Sequence, residues 1–358
     1  MEEIALTNLT TLPPAPPESL LTATQFGYGK FVLKFCLNPV LTVCVLGTNI
    51  VNIVVFCKMG LKDGVTQNFL ILSLSDGVWG VLGLAYNVSY ILWQSDIRGG
   101  HMSTMTIAMI TSAGINLPMN VSMVTTVIIA VVRCCCVAMP LTVRIVLTAS
   151  RQLKVIILCI ALMTGAFLYV ALSYQIVWAH NPHVNRSQYM LEVTDDLLAR
   201  ISFNDIYRGI LFNSSFVIAV LCLAILIIAL RRSSQFQKQA STANDSDKQD
   251  GSKSSAFSAR DRQVIKTVVL VLVLFTICNL PSIVWSLVRQ AIPEFRVFGR
   301  YERTVELVYM ISETMGLINA GANFFVYYFF NTRFRTVFRS TFGKEDKKLR
   351  VLQGKDKD

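Results

Sequence analysis

The chain has 358 residues, of which 53% are hydrophobic and only 15% are charged, and its mean hydropathy is +0.52. The apolar residues are gathered into long blocks, which excludes a water-soluble globular protein and indicates an all-α protein that crosses the membrane several times. The formal net charge of +11 comes mostly from short segments between those blocks, so it suits anionic lipid headgroups or an acidic partner rather than nucleic acid.

Seven apolar blocks are long enough to cross about 30 Å of hydrocarbon as helices. They are Phe35–Cys57, Asn68–Leu92, Thr104–Val132, Leu153–Val177, Ile206–Leu230, Val264–Val288 and Val305–Phe330. An odd number of crossings places the two termini on opposite sides of the membrane. Most of the 33 lysines and arginines fall in segments 58–64, 133–154, 231–266 and 331–358, which predicts that these are cytoplasmic and that the N-terminus is outside.

The predicted domain organisation follows from these blocks. It comprises an extracellular tail (1–34), a seven-helix domain (35–330) with a disordered cytoplasmic loop (231–262), an interfacial helix (331–342) and a cytoplasmic tail (343–358). The loop is too polar to order itself. The interfacial helix is predicted because Phe334, Phe338 and Phe342 recur every four residues among arginines, which is the pattern of an amphipathic helix lying on a membrane.

Two Asn-X-Ser/Thr triplets fall on the predicted outer side, at Asn8 and Asn185, and both are candidate glycosylation sites. The 3 histidines of the chain have no nucleophile or metal-ligand spacing around them. We therefore expect a protein that is not an enzyme and that uses no cofactor.

Several polar residues lie inside the predicted spans. Asp76 is the only carboxylate near the middle of any span, and Asn319, Asn323 and Tyr327 are four residues apart and share one helix face. Arg133 ends an otherwise apolar run. Any single one of these residues can serve only to join helices, and Arg133 can simply extend toward the headgroups.

Together these residues lie in motifs that resemble a known family, the rhodopsin-like G-protein-coupled receptors. The motifs are Gly47-Thr48-Asn49-Ile50-Val51-Asn52, Leu72-Ser73-Leu74-Ser75-Asp76, Arg133 followed by Pro140, Phe275-Thr276-Ile277-Cys278-Asn279-Leu280-Pro281, and Asn323-Phe324-Phe325-Val326-Tyr327 after Asn319. They occur in the family's order, each on the corresponding span.

The resemblance implies an activation switch and an ion pocket. The switch would couple to a heterotrimeric G protein and consist of Arg133, Tyr327, Asn323, Phe275, Asn279 and Pro281. A pocket for water and a modulating sodium ion would consist of Asp76, Ser122, Asn319, Asn323 and Asn49, with Asp76 as the carboxylate ligand of the metal. Sodium prefers such oxygen ligands.

The chain departs from the family at several motif positions. Val132 and Cys134 replace the usual acid and tyrosine on either side of Arg133, and Ala108 stands where the family has an outer cysteine that forms a disulfide. The stretch from Lys58 to Asp63, with the motif that begins at Arg133, is similar to gastropod chemosensory receptors, which themselves resemble invertebrate peptide receptors. We therefore expect a peptide or a chemosensory small molecule as the extracellular ligand.

Candidate ligand contacts lie in the outer halves of the spans. Ile115 stands where amine receptors of the family carry an aspartate, which disfavours a charged amine at that position. Glu306 and Glu313 are seven residues apart on one face of span seven, and Glu313 is either a partner for a ligand cation or half of an internal ion pair with Arg289 or Arg208. Tyr86 and Tyr90 either line the same cavity or pack against lipid.

At the inner side, Asp261 lies twenty residues before Pro281, which in a helix is about 30 Å. This distance would bring its carboxylate to the level of Arg133, where the pair could hold the resting state, although Asp261 can equally be a solvated charge. Two other functions remain open at this stage: a receptor-like subunit that does not signal alone, and a secondary transporter.

Overall fold

The computed structural model describes residues 20–61, 63–95, 102–139, 147–181, 186–194, 196–243, 259–295 and 300–343. The candidate glycosylation sites Asn8 and Asn185 lie outside these residues. So does the predicted cytoplasmic tail, apart from its first residue, Gly343.

The described chain is almost entirely helical. Its elements are α1 (Ala23–Met59), α2 (Gly64–Gln94), α3 (Thr104–Ala138), α4 (Ala149–Ala171), β1 (Tyr174–Asn181), β2 (Arg186–Val193), α5 (Leu197–Ala243), α6 (Ala259–Ala291), a 3-10 turn (Pro293–Phe295), α7 (Glu302–Phe330) and α8 (Thr332–Phe342). Helix α2 packs between α1 and α3, α5 joins α3 to α6, and α7 packs against both α6 and α1, so the helices close into a ring. The predicted all-α seven-helix bundle is confirmed.

Helices α1 to α6 are long and apolar enough to cross a membrane. Helix α7 has 29 residues and is also long enough to cross, but its outer half carries Glu302, Arg303, Glu306 and Glu313. These charges interrupt its apolar sequence. Its place in the ring between α6 and α1 makes it the seventh helix of the bundle.

The first helix begins at Ala23, so residues 23–34 of the predicted tail are helical in the structure. Thr22 caps the helix: its hydroxyl accepts a hydrogen bond from the Gln25 amide, and the Gln25 side chain accepts one from the Thr22 amide. A π-helical stretch, Phe31–Leu37, then joins this turn to the apolar part of α1. Hydropathy alone placed the start too late because Lys30 and Lys34 interrupt the apolar pattern.

The fourth span is shorter than predicted, because α4 ends at Ala171 and the apolar residues after it belong to a β-hairpin. Strands β1 and β2 pair antiparallel, with Trp178 opposite Tyr189. The hairpin is attached to the start of α3 by hydrogen bonds: Ser103 N donates to Tyr189 O at 3.1 Å, and Leu191 N donates to Thr106 Oγ1 at 3.2 Å. These bonds hold the hairpin near Ala108, where the family has a disulfide.

The ends of the predicted disordered loop, 231–262, are helical in the structure, because α5 continues to Ala243 and α6 begins at Ala259. A helix already formed in the bundle can extend into polar sequence at little nucleation cost. The middle of the predicted loop, 244–258, lies outside the described residues.

The main apolar core lies in the inner half of the bundle. Phe56, Phe69, Leu72, Ile129 and Leu272 are all at most 2% exposed there. Helix α8 forms where an amphipathic helix was predicted, and Asn331 caps it by accepting the Phe334 amide at 3.0 Å. Phe334 is fully buried against the core, so α8 is anchored to the bundle and is not held by lipid alone.

Candidate functional site

A cavity of about 230 Å³ lies between the outer halves of the helices. Apolar and aromatic side chains, among them Trp79, Ile115, Met119 and Phe212, form much of its wall. Of the residues singled out in the sequence as ligand contacts, Ile115, Tyr86 and Glu313 line it. Glu306 lies outside it.

A second chamber, of about 680 Å³, adjoins the first on the side of the hairpin. Its lining includes Tyr90, together with Ile176 and Leu191 from the two strands. The two chambers share Tyr86, Ser112 and Asn116. Tyr86 therefore lines both cavities and Tyr90 lines the second, which supports the alternative in which these tyrosines contact a ligand.

Glu313 forms an internal ion pair, but with a residue that the sequence did not suggest. Lys34 Nζ lies 2.5 Å from Glu313 Oε2 and 3.2 Å from the Tyr86 hydroxyl. The Lys34 ammonium also lies 4.7 Å from the centre of the Tyr86 ring, a cation–π distance. The predicted pairing with Arg289 or Arg208 is thus corrected: the early start of α1 places a nearer cation beside Glu313.

Glu306 has an equivalent partner one turn farther out. Lys30 Nζ lies 3.3 Å from Glu306 Oε1, and both side chains are partly exposed. Lys30 also lies 5.8 Å from the centre of the Tyr90 ring. The two ion pairs join α1 to α7 along the outer half of the bundle.

Arg208 of α5 extends into the cavity toward α3 and α7. Its Nη1 donates to Asn116 Oδ1 at 2.7 Å and to the Tyr309 hydroxyl at 3.5 Å. The guanidinium also lies 5.5 Å from the centre of the Phe212 ring. Two neutral oxygens and one aromatic face therefore orient this cation.

A polar pocket surrounds Asp76 at the middle of the bundle, where the sequence placed it. The Asp76 carboxylate is fully buried, and its Oδ2 accepts a hydrogen bond from Asn323 Nδ2 at 3.2 Å. Ser122 is its other polar neighbour. Asp76 Oδ1, Asn323 Oδ1 and Asn319 Oδ1 are buried and have no hydrogen-bond partner among the described residues.

Asn49 lies at the edge of this pocket and joins α1 to α7. Its Nδ2 donates to Val45 O at 2.9 Å and to Ala320 O at 3.3 Å, and its Oδ1 accepts from Asn52 at 3.4 Å. These bonds give Asn49 a helix-joining role, and none of them goes to the Asp76 carboxylate. Its predicted place in the wider pocket stays a prediction, without a bond to the carboxylate that would hold the ion.

The inner end of the outer cavity borders the Asp76 pocket. Ser122 and Asn319 both line the cavity, and Ser122 is next to the Asp76 carboxylate. Asn279 and Phe275 of α6 line the cavity as well. Asn279 Nδ2 donates at 2.8 Å to Phe275 O, the backbone carbonyl one turn earlier in α6. The same helix contains Pro281. A bound ligand can thus touch groups that belong to the polar pocket and to α6.

Tyr327 lies below the polar pocket within a group of aromatic rings. The centres of the Phe56, Phe69 and Phe334 rings are 5.2, 4.8 and 5.7 Å from the centre of the Tyr327 ring. The side chain is fully buried, and its hydroxyl has no hydrogen-bond partner among the described residues. This ring can leave its site only if the contacts between α1, α2 and α8 open.

Arg133 is half-buried, in the last turns of α3. Its neighbours Val132 and Cys134 are buried, and Cys134 Sγ donates to Cys222 O of α5 at 3.4 Å. The positions that usually carry an acid and a tyrosine therefore pack into the bundle. They leave Arg133 as the charged group of this turn.

Asp261 lies in the first turn of α6, but its side chain is outside the part of the chain that the structure describes. The proposed pair with Arg133 remains a prediction. The structure shows a different attachment two residues later: Gln263 Nε2 donates to Phe330 O at 3.0 Å and also to Thr332 Oγ1. Thr267 Oγ1 lies 3.3 Å from the same Phe330 carbonyl. These bonds hold the inner end of α6 to the junction of α7 and α8.

The family model of the 7 transmembrane receptor (rhodopsin family) matches residues 48–327, which is most of the chain. The chain belongs to the rhodopsin family of seven-transmembrane receptors. The match covers the helices that hold the cavity, the Asp76 pocket, Tyr327 and Arg133. No match was found among curated protein sequences.

Family membership makes the protein a multi-pass membrane receptor that acts in signal transduction. Receptors of this family generally have a ligand and a G protein as partners, and they are generally not enzymes. The secondary transporter considered from the sequence is therefore disfavoured. The narrower resemblance to gastropod chemosensory receptors stays a prediction.

The sequence patterns do not identify four side chains that join helices in this receptor. Hydropathy assigns Lys30 and Lys34 to the tail, and no motif includes Asn116 or Gln263. A signal for the lysines is nevertheless present, because two cations precede the first apolar block while two carboxylates lie in the outer half of the seventh span. No local signal identified Asn116 or Gln263, because their partners, Arg208 and Phe330, are distant in sequence.

Proposed function

We propose that this receptor lies in the plasma membrane with its N-terminus outside, binds an extracellular ligand in the outer cavity and activates a heterotrimeric G protein through Arg133. The ligand class expected from the sequence is a peptide or a chemosensory small molecule. The cavity combines apolar and aromatic walls with polar and charged side chains, and ligand sites typically contain both kinds of group.

The observation that carries this proposal is the shared wall between the cavity and the polar pocket. A ligand that binds more tightly when Ser122, Asn319 or Asn279 moves shifts the equilibrium between two states of the bundle. The pocket continues to Asn323 and then, one helical turn farther, to Tyr327. The inner ends of α3 and α6, where Arg133 lies, are the next part of the same bundle.

The predicted orientation rests on the basic segments. Segments 58–64, 133–154, 231–266 and 331–358 are attached to the inner end of the bundle, where they would meet anionic lipid headgroups and the G protein. The hairpin and the cavities would then face the outside, and Asn8 and Asn185 would be open to glycosylation.

Sodium is the proposed modulator of the resting state. A monovalent cation prefers several oxygen ligands, and the Asp76 pocket offers a carboxylate with unpaired amide oxygens around it, those of Asn319 and Asn323, and the Ser122 hydroxyl. The residues present therefore fit the ion. Occupancy of the pocket would stabilise the closed bundle and oppose ligand binding from the outer side.

The test is guanine-nucleotide exchange in membranes that contain the receptor and purified heterotrimers, with peptides and waterborne odorants as the ligand panel. The proposal expects at least one ligand to accelerate exchange on at least one heterotrimer. The burial of Val132 and Cys134 beside Arg133 favours one alternative, a receptor-like subunit that does not signal alone. That alternative expects ligand binding without exchange until a second receptor subunit is coexpressed.

A further inference from the structure

The described lining of the outer cavity carries more positive than negative charge. Its cationic side chains are Lys34, Arg208 and Arg289, and Glu313 is its one carboxylate among the described residues. Lys34 already pairs with Glu313 at 2.5 Å. A ligand cation would have to displace an internal ammonium to reach Glu313, so the early expectation of a ligand amine at this position loses its support.

Arg208 is the cation whose surroundings are best suited to receive a ligand. The two hydrogen bonds that the structure shows for it go to the neutral oxygens of Asn116 and Tyr309. These oxygens fix the direction of the guanidinium without neutralising it. Both bonds use Nη1, whereas a guanidinium carries five N–H donors, and so the group retains donors for a further acceptor.

The position of Arg208 also favours ligand contact. Asn116, its nearest partner, lines both chambers, so the guanidinium lies where the smaller cavity meets the larger one. A charge held within a membrane bundle is costly unless it meets a counter-charge or water. A ligand carboxylate would provide two oxygens in the geometry that a guanidinium binds best.

The rest of the cavity wall indicates which kind of ligand group lies next to the carboxylate. The Phe212 ring lies next to the Arg208 guanidinium, and Met119, Trp79 and Ile115 also line the cavity. A volume of about 230 Å³ holds a group the size of one large side chain, and the chamber of about 680 Å³ can take further residues or a longer body. The acid group therefore belongs next to an apolar group.

We propose that the ligand of this receptor is an organic anion, in which a carboxylate next to an apolar group binds Arg208 of α5. Two sources supply that chemistry, a free organic acid and the C-terminal residue of a short peptide. The inference rests on the proposed function only in taking the cavity as the ligand site.

Binding is measured on the full receptor in lipid nanodiscs as the shift of its thermal unfolding midpoint with probe concentration. The probes are N-acetyl-phenylalanine and N-acetyl-leucine, the tetrapeptide Gly-Gly-Gly-Phe, and the neutral amide of each acid. We expect saturable stabilisation by at least one acid and at least about ten-fold weaker binding of its amide. Stabilisation by the amino acids indicates a small organic acid, and stabilisation by the tetrapeptide alone indicates a peptide C-terminus.

Variants then assign the acid to Arg208. Arg208→Gln should weaken binding of the acid about ten-fold or more and should abolish the receptor's preference for the acid over the amide. Arg208→Lys should retain part of the affinity and part of the preference. Arg200→Gln is the matched control, because Arg200 lies on the same helix but pairs with Asp196 outside the cavity lining. Stabilisation by no acid, equal binding of acids and amides, or an unchanged preference in Arg208→Gln overturns the proposal. None of these results depends on a G protein, so the exchange assay still decides the receptor function separately.

Discussion

Lys34 and Glu313 join the first and seventh helices through a contact of 2.5 Å between the ammonium and a carboxylate oxygen, in the outer half of the bundle. Both side chains are largely buried, with exposures of 10% and 19%. The pair also removes the cavity's described carboxylate from the reach of a ligand cation. One contact thus contributes both to the stability of the bundle and to the charge that a ligand meets.

Glu313→Gln should destabilise the receptor by about 3 kcal/mol, because it leaves the Lys34 ammonium buried without its counter-charge. The measurement is the thermal unfolding midpoint of the purified receptor. Glu306→Gln is the control: the pair of Glu306 with Lys30 is more exposed, and its loss should cost only about 0.2–1 kcal/mol. The double variant Lys34→Met with Glu313→Gln should recover most of the stability that Glu313→Gln loses. Equal effects of the two glutamine variants would contradict this assignment.

Gln263→Ala should raise ligand-free G-protein activation, because it removes two hydrogen bonds that hold the inner end of α6 to Phe330 and Thr332. At about 0.5–1.5 kcal/mol for each bond, the expected rise is about five-fold or more. Asp261→Ala should produce a smaller rise, a few-fold at most, and that rise should disappear in the Arg133→Ala background. Basal activity is compared at matched surface expression. A silent Gln263→Ala variant would show that this attachment does not restrain α6.

Asp76→Asn should remove the effect of sodium on ligand binding, because the amide keeps the shape of the side chain but lacks the charge that a cation requires. Parent receptor should bind its ligand more weakly in sodium than in a bulky organic cation, and the variant should bind equally in both. Asn49→Ala is the comparison variant, since Asn49 joins α1 to α7 and should leave the sodium effect in place. An unchanged sodium effect in Asp76→Asn would exclude this pocket.

Asp63 anchors α8 from outside the membrane spans, since Arg333 Nη1 lies 3.2 Å from Asp63 Oδ2 and Nη2 donates to Met59 O at 2.6 Å. Burial alone would raise the pKa of the Asp63 carboxyl, but hydrogen bonds from Thr66 and the charge of Arg333 outweigh it, and the pKa lies below its ordinary value.

Because the folded-state pKa of Asp63 is lowered, its stabilising contribution is present above the ordinary carboxyl pKa and is lost as the pH falls through the lowered value. Hydrogen exchange of the α8 amides should therefore stay constant between about pH 5 and 8 once corrected for intrinsic rates. Asp63→Asn should speed this exchange a few-fold at pH 7, a modest effect because both partners are partly exposed. Equal exchange in parent and variant at pH 7 would show that Asp63 does not hold α8.

The bundle and the Asp76 pocket were predictable because they depend on patterns within single helices. Asp76, Asn323 and Tyr327 follow from helical spacing and the family motifs, and the structure brings the first two within 3.2 Å. The hairpin was hidden because Ile176 and Val177 continue an apolar run that reads as the end of a helix. Only the antiparallel pairing with β2 distinguishes a strand from the end of a helix at these residues.

The charge of the ligand cavity was less predictable from the sequence. Glu313 was found because a carboxylate in a span is conspicuous, but its partner depended on where α1 begins. That start is set by a capping box at Thr22 and not by hydropathy. Arg208 was considered only as a partner of Glu313, and its contact with Asn116 joins helices that are far apart in the chain. Contacts of this kind depend on packing, which single-helix patterns do not specify.

Nucleotide exchange by the Arg133→Ala receptor decides whether ligand binding in the outer cavity reaches a G protein through Arg133. Parent and variant are compared in membranes with equal surface amounts and with the heterotrimer that responds best to the parent. Ligand binding to the variant is measured in parallel, because Arg133 lies far from the cavity lining. We expect the variant to bind ligand and to evoke no exchange. Ligand-evoked exchange equal to that of the parent would contradict it.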